Sequence, residues 1–122
     1  MAPGEAASWV IENFPSDDPS YGVVFDIIPK ISWRKSDQEK LAKYYLRGMP
    51  FANDRAYRAL SRVMSIERFL RISEEFMPKD SEDVDLVLYY LIPVLSGIIK
   101  SDFDRALLEN FVSKYSGESR RG

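Results

Sequence analysis

Nucleophiles and general bases are scarce in this chain. It holds no cysteine and no histidine. Thiol nucleophiles, Cys/His zinc sites, imidazole bases and Ser-His-Asp triads are therefore excluded. The densest set of oxygen donors is Asp80, Glu82, Asp83 and Asp85. Calcium or magnesium would accept such groups, but the spacing lacks the glycine and glutamate of an EF-hand loop. The same four acids precede an apolar run, where a helix N-terminus favours negative charge. They are expected to cap that helix, and they double as an alternative acidic surface for a basic partner. Glu74 and Glu75 are adjacent, and neighbours on a helix diverge by about 100°, so they form no acid/base dyad. The six glycines are scattered, so no phosphate-cradling loop exists. Ser61 and Ser65 have no base in sequence reach. The expectation is a protein that is not an enzyme and carries no metal or cofactor.

The cations are more ordered. Arg55, Arg58 and Arg62 recur at i, i+3 and i+7 and share one helix face. Lys40, Lys43 and Arg47 repeat that spacing on the preceding segment, and Arg68 and Arg71 form an i, i+3 pair on the next. Guanidinium groups suit carboxylates and phosphates. The alternative is a solvated outer face, opposite a core stripe of Tyr57, Leu60 and Met64. The net charge of −2 hides a segregation. Residues 1–29 carry five acids and no base, residues 30–72 eleven bases and four acids, and residues 73–122 six bases and ten acids. These blocks either screen one another in the fold or leave a basic patch for an acidic partner.

Aromatic residues supply the other candidate contacts. Tyr44-Tyr45 and Tyr89-Tyr90 are doublets, so one member of each should lie at the edge of the buried stripe. Tyr45 and Tyr90 are the candidate anchors, the alternative for each doublet being a core residue with its hydroxyl at the boundary. Trp33 lies between helices beside Arg34 and Lys35. It is either a lid on the core or an exposed contact.

The elements that must position these groups read as helices. No Asn-Gly or Asp-Gly turn and no sustained alternation marks a hairpin. A first helix covers residues 5–14, with Trp9, Val10 and Phe14 inward and Pro15 ending it. Asp18-Pro19 resembles an N-cap with proline at the first helical position. Tyr21, Val24, Phe25 and Ile28 follow at helical spacing, with a short strand as the alternative. Ser36-Asp37-Gln38-Glu39 reads as a capping box, and Gly48 as the end of that helix. Asn53 or Asp54 caps the next helix and Ser65 another, unless residues 54–77 form one bent helix. The stretch from Leu86 to Ile99 is uncharged but shorter than the ~20 residues a membrane span needs. It is expected to be a central helix, apolar nearly all round, kinked or broken at Pro93. Ser101 opens a last helix that Gly117 ends.

One internal similarity stands out. Residues 36–46 and 81–91 share serine, an acid, a leucine and Tyr-Tyr-Leu at a constant offset. Helical solenoids of the HEAT type repeat every ~40–47 residues. The expected fold is all-α: a compact single-domain bundle of six or seven helices over residues 1–117, in one variant stacked helical hairpins, with residues 118–122 as a flexible tail. The start of the chain has no basic-then-apolar leader, so a cytoplasmic location is expected. The functional expectation is a protein-binding module, most specifically a small immunity protein that neutralises a bacterial toxin. A nucleic-acid-associated regulator using the basic middle is the alternative.

Overall fold

The computed structural model describes residues 5–19 and 21–121. Within them the chain is all-helical, with seven α-helices and no strand. They are α1 (Glu5–Asn13), α2 (Val24–Ile27), α3 (Lys35–Leu46), α4 (Arg55–Arg62), α5 (Ile66–Glu75), α6 (Ser81–Ile98) and α7 (Asp102–Arg121). Short 3-10 turns, Tyr21–Val23 and Ile28–Lys30, flank α2. None of the described helices is long and apolar enough to cross a membrane.

Packing sorts the helices into two layers. Helices two apart in sequence lie side by side: α1 on α3, α2 on α4, α3 on α5, α4 on α6 and α5 on α7. Neighbours in sequence then meet across the layers, as α3 with α4, α4 with α5 and α6 with α7. One layer is thus α1–α3–α5–α7 and the other α2–α4–α6, the arrangement of stacked helical hairpins. Between them runs one core, in which Tyr45, Tyr57, Phe69 and Leu91 from α3, α4, α5 and α6 are all fully buried. The similarity between residues 36–46 and 81–91 does not follow this stack. It pairs α3 with α6, helices of opposite layers, and so reflects shared apolar spacing rather than a structural repeat.

Local chemistry accounts for the element ends. Residues 54–77 form two helices, because Ser65 adopts extended backbone and accepts the Arg68 N–H at 3.2 Å. Asp80 caps α6 by accepting the Glu82 N–H at 2.9 Å. Ser101 accepts the Asp104 N–H at 3.1 Å at the start of α7. The expected box at Ser36 does not form. Helix α3 begins one residue earlier, at Lys35, and its N-cap Arg34 makes no side-chain cap bond. Asp37 is buried and instead accepts the Ala7 N–H at 3.1 Å, closing the open end of α1 across the layer. Residues 21–30 are helical, not a strand: Val24, Phe25 and Ile28 bury one face.

Four further expectations are corrected. Trp9 is 54% exposed, not inward; α1 buries Ala7 and Val10 instead. Of the two outcomes expected at Pro93, the break does not occur, since α6 continues through it. This helix is not apolar-buried all round either: Val84, Val87, Leu88, Leu91 and Leu95 face the core, while Leu86 and Tyr89 are exposed. The central helix is α4, which touches α2, α3, α5 and α6. Gly117 does not end the last helix, since α7 runs to Arg121.

Candidate functional site

The sequence of α4 divides cleanly by face. Ala56, Tyr57, Ala59, Leu60 and Ser61 are buried, and Arg55, Arg58 and Arg62 are exposed. Because α2 packs alongside, these exposed arginines border a cleft rather than a flat surface. They line a cleft of about 430 Å³ with Phe25, Asp26, Pro29, Lys30 and Asp54. Arg55 Nη2 lies 3.0 Å from Asp26 Oδ2, and Arg58 Nε lies 3.0 Å from Asp54 Oδ2. Lys30 and Arg62 make no ion pair among the described residues. Four cations face two carboxylates, which leaves a surplus of two positive charges.

Gly22 lies against Arg55 at the edge of this cleft. A Cβ on Gly22 would stand 3.2 Å from Arg55 Nη1 and would push the guanidinium by a few tenths of an ångström. Asp26 is what holds that guanidinium. A second depression continues from Arg58 and Arg62 onto Pro93, Val94 and Gly97 of α6. Leu86, Tyr89, Tyr90, Pro93 and Gly97 fall within an arc of about 100° on that helix. Glu82 falls in the same arc at the start of the helix, so the layer α2–α4–α6 presents arginines next to the uncharged C-terminal part of α6.

The other basic stripes belong elsewhere. Lys40 donates to Ser8 of α1. Lys43 pairs with Glu39 at 3.4 Å on its own helix. The Arg47 guanidinium sits 4.9 Å from the centroid of the Tyr44 ring. Arg68 ties α5 to α3 by donating to Gln38 Oε1 at 2.7 Å and the Lys35 carbonyl at 3.0 Å. Each of these partners lies in the α1–α3–α5–α7 layer. The three stripes therefore do not merge into one basic field.

The aromatic candidates sort by burial. Tyr45 is a core residue, 1% exposed, and its hydroxyl donates to the Phe14 carbonyl at 2.8 Å. It cannot anchor a partner. Its neighbour Tyr44 is the half-buried member and accepts the Ser16 N–H at 2.9 Å. In the second doublet Tyr90 is half-buried and Tyr89 is 71% exposed, so the open ring is the one not singled out. Trp33 is a lid: half-buried, it packs on the core and donates from Nε1 to the Ile28 carbonyl at 2.8 Å. Asp80, Glu82, Asp83 and Asp85 remain at the N-terminus of α6, and no metal-holding group of three or more carboxylates occurs among the described residues.

Sequence reasoning missed Lys30 and Asp26. Both were visible as an i, i+4 pair beside Pro29, but nothing in the sequence joined that segment to α4. Compared with known proteins, the chain matches no family model, no curated protein and no solved structure.

Proposed function

We propose that this chain is a non-catalytic, cytoplasmic protein-binding module whose α2–α4–α6 face receives an acidic partner. The observation that carries this reading is the cleft with its surplus of positive charge, set beside the uncharged C-terminal part of α6. Arginine and aromatic side chains are enriched at interface centres. Its narrowest form is a small inhibitor of the bacterial immunity kind, which neutralises a toxin by covering it. Size, helical class and the lack of thiol and imidazole groups support that form. The division of basic stripes between layers weighs against the alternative of a nucleic-acid regulator, which needs a continuous track for the phosphate backbone.

The test is capture of partners by the wild-type chain, by Arg58→Glu/Arg62→Glu and by Lys40→Glu/Lys43→Glu, before and after nuclease treatment. The expected result is a stoichiometric protein held by the wild type and the α3 variant, lost by the α4 variant, and indifferent to nuclease. Capture that vanishes with nuclease, or survives charge reversal on α4, would end this reading.

A further inference from the structure

The cleft between α2 and α4 has more definition than a general acidic surface would need. Arg55 and Arg58 are each held by one carboxylate through one nitrogen. A guanidinium has five N–H donors, so most of the donors in each remain uncommitted. Arg58 spends Nε on Asp54, which leaves its two terminal nitrogens for a ligand. Arg55 is paired with Asp26 and lies against Gly22. Lys30 and Arg62 add charge without an ion pair among the described residues. These donors border one concave site, and the ion pairs of Arg55 and Arg58 meet part of the ordering cost in advance.

The charge count then selects a ligand. A single carboxylate or a phosphodiester brings one negative charge. A phosphomonoester brings about −1.5 to −2 at neutral pH, with three strong acceptor oxygens. Only the last balances a surplus of two and uses several N–H donors at once. We propose that this cleft binds a phosphomonoester dianion. Its source is either a small phosphate compound or, if the proposed protein-binding function holds, a phosphorylated side chain of the partner; only the second rests on that reading.

The experiment is isothermal titration of the full chain at roughly pH 8, where the monoester is fully ionised. Inorganic phosphate is compared with chloride at matched ionic strength, with dimethyl phosphate and with a phosphoserine peptide. Phosphate should bind, and dimethyl phosphate should bind about tenfold more weakly. Arg62→Gln and Lys30→Gln should each weaken phosphate about tenfold, the usual size of one lost charge-assisted contact, while Lys43→Gln should change nothing. Circular dichroism checks that all three variants remain helical. A peptide binding about tenfold tighter than phosphate assigns the group to a partner side chain, and equal affinity assigns it to a small phosphate compound. Phosphate that behaves like chloride, a diester that binds as well as the monoester, or equal losses in Lys43→Gln would overturn the proposal. The two readings fail separately. Capture of a protein that needs Arg58 and Arg62 but survives phosphatase, with no phosphate binding, sinks the dianion and leaves the interface. Phosphate binding without any protein that needs those arginines does the reverse.

Discussion

Two tyrosine hydroxyls show how one residue type takes different energetic roles in one core. Tyr45 and Tyr57 are both fully buried. The Tyr45 hydroxyl donates to the Phe14 carbonyl, whereas that of Tyr57 faces the Phe51 backbone without reaching hydrogen-bond geometry. A satisfied buried bond contributes about 1 kcal/mol, and an unsatisfied buried hydroxyl costs a comparable amount or more. Tyr45→Phe should therefore lower stability in urea by about 1 kcal/mol, and Tyr57→Phe should leave it unchanged or raise it. Equal losses would mean that Tyr57 has a partner. Burial pushes both hydroxyls above their ordinary pKa of 10.0, with Tyr44 and Tyr21 adding to the effect at Tyr45. The folded chain then keeps protons that the unfolded chain releases. Their stabilisation is fully present below pH 10 and is lost as pH rises beyond it. The double variant should flatten that alkaline fall; an unmoved alkaline midpoint would refute the assignment. The burial of Tyr45 was not legible in the sequence, because a doublet fixes that one member faces out but not which. The long-range partner decided it.

At the scale of the element, the readable signals were those settled within one turn. Ser65, Asp80 and Ser101 cap the helices they were expected to cap, since the acceptor and the N–H it serves are at most three residues apart. The box at Ser36 failed because Asp37 found a buried donor thirty residues away in Ala7, a contact that no local pattern encodes. Pro93 is the opposite case, a strong local breaker that the helix overrode. Proline removes the bond to the carbonyl four residues earlier, here that of Tyr89. Tyr89 is the most open large apolar residue described, so water can meet that carbonyl and the penalty is tolerated rather than removed. Pro93→Ala would restore the missing N–H and a better helix former. It should raise the stability of the chain by about 1–3 kcal/mol, less whatever proline gains by stiffening the unfolded state. A urea titration at unchanged slope measures this. A lower midpoint would show instead that Arg58 and Ser61 depend on the ring they meet there.

The whole molecule decides what the charges can do together. Each basic stripe was legible, because i, i+3, i+7 spacing is a property of one helix. Their relative placement was not, because it follows from stacking helices two apart into separate layers. Eight cations on successive helices (Lys40, Lys43, Arg47, Arg55, Arg58, Arg62, Arg68 and Arg71) look like one field when read along the chain. In the fold, α4 keeps its three with Lys30, and two carboxylates offset half of that group. This difference has a measurable consequence for polyanions. Each phosphate neutralised on duplex DNA contributes about −0.9 to the slope of log affinity against log salt. A merged field of eight would give a slope near about −7, and the cleft alone no steeper than about −2. Anisotropy of a labelled duplex, followed from about 20 to 200 mM salt, should show the shallow slope or no binding. A slope steeper than about −5 would require cations from both layers on one duplex. It would move the functional argument from the α4 cleft to the basic middle as a whole.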